Sequence, residues 1–225
     1  HDPGIAILER TGVPAERIVV VMNTADVPDR DTQRGDEGLD AAGKRSRDGR
    51  FTLVYHGTLV NQYDLGTALE ALARLALRGE TDLALRVIGE GPGLAELRAR
   101  AAALGVGERV RFEATVPLAH IPALLAECDA GVVPMHDVAY AHVALPMKVL
   151  ECMAAGLPVA TNRSAVLEHY FDDRALCYVP FADPEALADA LLRLRDDAAF
   201  RRELARNGRA AVRPLRWEVM ARRFV

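Results

Sequence analysis

The sequence predicts an α/β fold built on a doubly wound parallel sheet. Three observations carry that expectation. From Phe51 onward, short apolar runs alternate with segments whose leucines recur every three or four positions. The helical segments are long enough to act as right-handed crossovers between parallel strands. Half of the 225 residues are hydrophobic, so a sizeable core can form; with aromatics at only 5%, Leu, Val and Ala must fill it.

The elements follow in order. Residues 3–22 read as a short helix, a turn over 12–14 and a strand, "RIVVVM". Over 23–50 the composition changes: 13 of 28 residues are charged and apolar residues are sparse, which reads as a flexible linker. "FTLVYH" then reads as a strand. Leu65, Leu69, Leu72 and Ala76 share one helical face. "LALRVIG" is the next strand, and Leu94, Leu97, Ala101 and Leu104 make a second helical stripe. "RVRFEATV", a helix over 121–128, the strand "AGVVPM", a helix over 147–155 and the strand "LPVAT" follow. Asp183 as N-cap with Pro184 at the first helical position opens a helix carrying Leu187, Leu191 and Leu194.

Composition narrows the function. No apolar run approaches ~20 residues, so no membrane span is expected. The opening "HDPGIAILERTG" lacks a basic region followed by an apolar core, and no signal peptide is expected. Cys128, Cys152 and Cys177 are odd in number and lack ligand-type spacing; they read as buried thiols in a reducing, cytoplasmic compartment. A net charge of −4 argues against nucleic acid as a partner. The arginines at 201, 202, 206, 209, 213, 216, 222 and 223 allow a weak peripheral contact with the inner membrane surface, although a solvated helix face explains them too.

In a parallel sheet of this kind, ligands bind outside the carboxyl ends of the strands. That directs attention to the loops 56–64, 89–93, 115–118 and 134–146. In the first, Gly57 allows close backbone approach and Thr58 offers a hydroxyl to a phosphate; an ordinary turn explains both as well. "GEGPG" is not a dinucleotide fingerprint, because position 94 is Leu. His136, Asp137 and His142 lack a further suitably spaced ligand and read as hydrogen-bonding residues, with no metal expected.

Lys148 stands apart. The chain has only one other lysine, Lys44, among 28 basic residues. Pro146 suits the first turn of a helix, which puts Lys148 within that turn as well. A cation there is unfavourable by ~0.3–1 kcal/mol. Either Glu151 offsets this as an i,i+3 partner, or an anion sits at the helix N-terminus. These residues alone leave both readings open.

Six stretches in order, "VVVMNTADV", "VYHGTL", "RVIGEGPGLAEL", "VRFEATVP", "ECDAGVVPM" and "LPMKVLECMAAGLPVAT", resemble successive motifs of the retaining glycosyltransferases of family 4, which have the GT-B fold. The resemblance implies a Rossmann-like donor half at 51–213, a tail of the acceptor domain at 1–22, and a closing helix at 214–225 that packs on the acceptor domain. It implies a nucleotide-diphosphate sugar as donor, with no cofactor. The family's E-x7-E signature places its second Glu, which grips the ribose hydroxyls, at Glu151. The first falls at Val143, as in a variant reading LPxKxxE. The family's cations after the first donor-domain strand are absent from "TLVNQYD", which has Gln62 and Asp64. Lys148 is then the catalytic cation for the diphosphate. The implied substrate contacts are Gly57, Thr58, Gly89, Glu90, Val116, His136, Leu145, Pro146, Met147, Lys148 and Glu151. Val143, Gln62 and Asp64 favour a second reading, a non-catalytic module that binds a nucleotide sugar or a partner protein.

Overall fold

The computed structural model describes residues 2–22, 24–25, 49–60 and 62–224. Most of the charged segment expected as a linker lies outside the described residues, as does the side chain of Arg223. Helix α1 (Pro3–Arg10) starts where Asp2 accepts a 2.7 Å hydrogen bond from the Gly4 amide, with Pro3 in the first turn. The strand expected at 17–22 does not form. Ala15–Arg17 is a 3-10 turn, and residues 18–22 join no sheet among the described residues. Without a strand neighbour its backbone has no ladder, and Val21 and Met22 pack onto the core by side chain alone.

Six parallel strands form one sheet: β1 (Phe51–His56), β2 (Leu83–Ile88), β3 (Val110–Glu113), β4 (Ala130–Val133), β5 (Val159–Asn162) and β6 (Cys177–Val179). Their order is β3-β2-β1-β4-β5-β6, so the winding reverses between β1 and β4. β3 is shorter than expected. Its register with β2 ends at Ile88 opposite Glu113, where Gly89 N donates to the Glu113 carbonyl, and the chain then runs to Pro117. β6 was not legible as a strand; three residues are too few to show a pattern.

The helices are α2 (Leu65–Leu77), α3 (Leu94–Ala103), α4 (Ile121–Leu125), α5 (Met147–Ala154), α6 (Ala165–Tyr170), α7 (Pro184–Asp196), α8 (Ala198–Val212) and α9 (Trp217–Phe224). Both faces of β1 are buried: Leu53 and Tyr55 join the core under α2 and α7, and Val54 joins the one under α5. That is why the strand reads as a continuous apolar run. Asp183 caps α7 as expected, accepting from Glu185 N and Ala186 N at 3.1 and 2.9 Å. All three cysteines are buried and free.

The C-terminal arginines do not share one outward face. The Arg201 guanidinium donates to the carbonyls of Leu194 and Arg195, whereas Arg202, Arg206, Arg213 and Arg222 are exposed. In α9, Met220 is buried in the core while Trp217 and Val219 are exposed. No helix among the described residues is long and apolar enough to cross a membrane.

Candidate functional site

The site forms where the winding reverses. The chain leaves β1 through Gly57, at φ +108°, whose amide donates to Ile88 O. Gly89 follows β2 alongside it, and a Cβ there would fall 2.0 Å from the Gly57 carbonyl oxygen. Only glycine lets the two strand ends lie this close. The loops after β1 and β4 are then tied together. Tyr63 bridges to Met135, Asp64 N donates to Pro134 O at 3.0 Å, and His136 N donates to Gln62 O at 3.2 Å.

Asp64, which stands in the stretch without cations, has a structural task. It caps α2, accepting from Thr67 N at 3.1 Å and from the Thr67 hydroxyl at 2.6 Å. His136 Nδ1 lies 3.7 Å from the same carboxylate. His142 and Asp137 pair at 2.8 Å, and Ala165 N donates to His142 Nδ1. His142 and Asp137 act as hydrogen-bonding residues of the loops, whereas His136 only neighbours a carboxylate at that distance.

Helix α5 begins at Met147, as expected, so Pro146 is its N-cap and Lys148 is its second residue. No side chain caps this N-terminus. Lys148 is 9% exposed as a residue and forms no ion pair among the described residues, so the partnership with Glu151 does not take the form of a contact. Nζ lies 3.7 Å from the centre of the Tyr63 ring and 5.3 Å from that of Tyr55. Such contacts are worth up to about 2 kcal/mol when desolvated. Burial lowers the lysine's pKa to about 8, with Glu151 pulling the other way.

Glu151 turns to His56 instead, with Oε2 3.6 Å from Nδ1. Burial raises the Glu151 carboxyl pKa, and Lys148 partly counters this. His56 is buried, and burial with the nearby Lys148 lowers its pKa to about 4. Its other nitrogen faces Cys152 Sγ at 3.8 Å, a thiol that burial holds protonated.

Glu151 and Met147 line a cleft of ≈ 630 Å³ together with Leu118, Ile121 and Pro122. Its lining is largely apolar, with a carboxylate at one edge, which suits a flat ring joined to a hydroxylated sugar. Leu145, Pro146 and Met147 line a smaller cavity of ≈ 160 Å³ beside Tyr63. His136 faces another, of ≈ 340 Å³, with Asp64 and Arg100. Thr58 and Glu90 are exposed on loops joined by the Leu59 N to Glu90 O bond, and Val116 packs on the core. The structure thus gathers Gly57, Lys148, Met147 and Glu151 closely and spreads the other expected residues around them. Sequence reasoning missed Tyr55, His56 and Tyr63 as neighbours of that group. Tyr63 lies in a loop singled out beforehand, but nothing in its spacing connects it with Lys148.

Comparisons with known proteins agree with this architecture. The chain is 26% identical over 197 residues to the alpha-D-kanosaminyltransferase of Streptomyces kanamyceticus, covering 87% of this chain and 49% of that protein. It spans half or less of the length of the curated relatives it matches. The Anabaena protein HepE, solved in complex with UDP and glucose, superposes with a TM-score of 0.77 at 18% identity, over 98% of this chain and 59% of that one. The C-terminal domain of the glycosyl transferase group 1 protein LpcC from Francisella tularensis does so with a TM-score of 0.61 at 20% identity, over 85% of this chain and 94% of that domain. The family model for glycosyl transferases group 1 matches residues 38–211. The sheet order, the GT-B likeness and that match lead to one conclusion: this chain belongs to the group 1 glycosyl transferases.

Proposed function

We propose that this chain binds a nucleotide-diphosphate sugar and presents its hexosyl group for retaining transfer to an acceptor held by a partner domain. Residues 51–213 serve as the donor-binding domain, with 1–22 and 214–225 belonging to its junction with that partner. One observation carries the reading: a lysine without an ion pair among the described residues stands at an uncapped helix N-terminus, in the crevice where the sheet reverses. Helix amides and an ammonium together attract a diphosphate. Glu151, one turn on and lining the cleft, accepts from the ribose hydroxyls, and the base lies against Leu118 and Ile121. HepE, solved with UDP and glucose, supports the donor class.

As the glycosyl–phosphate bond breaks, negative charge grows on the leaving diphosphate. Lys148 and the α5 amides meet it where it develops, and fixed charges placed in advance are an effective way to lower such a barrier.

Calorimetry with UDP-, GDP- and ADP-sugars tests this. Lys148→Ala should weaken the best-bound nucleoside diphosphate by ~1.5–3 kcal/mol, the range for hydrogen bonds to charged groups. The matching nucleoside should lose little. Equal affinity of variant and parent for the diphosphate would reject the site.

The second reading, a binding module without turnover, is favoured by Val143 in place of a carboxylate and by Asp64 being committed to a cap. Sugar transfer or donor hydrolysis by the parent, abolished in Lys148→Ala, would decide against it.

A further inference from the structure

Resting on the donor-site reading above, we propose that Tyr63 is a positioning residue for donor binding: its ring holds the Lys148 ammonium, unneutralised, at the diphosphate subsite. The primary observation is where the ammonium lies, 3.7 Å from the Tyr63 ring centre and 5.3 Å from that of Tyr55. The two rings meet edge to face with centroids 5.6 Å apart, so they wall one corner. Gly57 leaves the neighbouring side open; a Cβ there would fall 2.9 Å from Lys148 Cε and 3.1 Å from Nζ. The nearest acid in sequence, Glu151, faces His56 instead.

An aromatic corner differs from a carboxylate in a way that matters for an anion-binding lysine. A carboxylate in contact neutralises the ammonium and must be displaced by an incoming diphosphate. A ring face attracts the cation through its quadrupole and carries no net charge. The flexible lysine stem is therefore held in place with no carboxylate contact for the ligand to displace. Tyr63 is itself anchored by its bridge to Met135 and by the Asp64 N to Pro134 O bond that follows it. Those contacts join the loops after β1 and β4, the strands between which the winding reverses. The lysine's position is thereby tied to the shape of the crevice.

The test uses an unusual feature of the sequence: Lys44 and Lys148 are its only lysines. Protein labelled with carbon-13 at the lysine ε-carbon gives two signals. One of them should have ε-protons shifted upfield by the ring, in the parent and in Tyr63→Phe, and this shift should collapse in Tyr63→Leu. The tightest of UDP, GDP and ADP is then titrated calorimetrically. Tyr63→Phe should bind it within about twofold of the parent, and Tyr63→Leu about tenfold more weakly, with little change for the matching nucleoside. A role in packing alone would weaken nucleoside and diphosphate together. An unshifted lysine pair in the parent, a measurement that needs no variant, overturns the proposal. So does a Tyr63→Leu protein that binds the diphosphate as tightly as the parent, and that outcome leaves the donor site standing. A parent that binds none of the three nucleotides overturns the donor-site reading and the proposal with it.

Discussion

His56 shows how burial sets chemistry at a single residue. Its folded pKa of about 4 lies below the ordinary 6.5, because the imidazolium would be desolvated and close to Lys148. Between those values the unfolded chain binds more protons than the folded one. The stability from the neutral ring is fully present above pH 6.5 and is lost as pH falls towards 4. At ~1.4 kcal/mol per unit, the complete loss is about 3 kcal/mol. Glu151, whose pKa is raised, opposes it, so the His56 ring is the group to follow directly. Nuclear magnetic resonance titration should show His56 still neutral at pH 5; a transition above pH 6 would contradict its buried placement. Glu151 itself calls for a ligand cycle. If it holds the ribose, Glu151→Ala should weaken a nucleoside diphosphate ~10–100-fold and barely affect the 2′,3′-dideoxy analogue, which has already lost those contacts. Equal losses with both ligands would remove Glu151 from the ribose.

At the scale of elements, the start of α2 carries more than its own turn. Asp64 satisfies the Thr67 amide and hydroxyl while its backbone amide reaches Pro134. One residue thus caps a helix and ties the β1 loop to the β4 loop. Asp64→Ala should cost ~1–2 kcal/mol, the upper range for losing an N-cap, read as a lower urea midpoint with an unchanged slope. A loss below about 0.5 kcal/mol would show that the cap is not used in solution. The same hydrogen bonds explain why position 64 carries no cation: a lysine or arginine there could not accept them.

For the whole molecule, the reversal of winding between β1 and β4 brings residues 57, 63, 148 and 151 together from distant parts of the chain. A ligand that binds only this assembled crevice must stabilise the entire fold by mass action. At a concentration of 100 Kd the gain is ~2.7 kcal/mol, equivalent to roughly 5–10 °C in melting temperature for a domain of this size. Circular dichroism melts with the best nucleoside diphosphate should show that rise, reduced in Lys148→Ala at the same ligand concentration. No rise at saturation would mean that the ligand does not recognise the folded crevice.

Much of this architecture is written locally. The apolar run at 51–56, the leucine stripes of α2 and α7 and the Asp183-Pro184 start each reflect short-range sterics and burial, so sequence by itself determined the α/β class and most elements. The same local logic put Lys148 in a helix's first turn. It misjudged 18–22, because a run of valines becomes a strand only beside a partner strand, and it passed over Cys177–Val179, whose strand character comes from pairing with β5. Nor could spacing choose between Glu151 and the aromatic rings as the company of Lys148. The i,i+3 relation is visible in sequence, but Tyr63 and Lys148, 85 positions apart, meet only because β1 and β4 are neighbours. Tertiary structure decided that the ammonium lies on a ring and pairs with no carboxylate among the described residues, since loop closure and burial act through space.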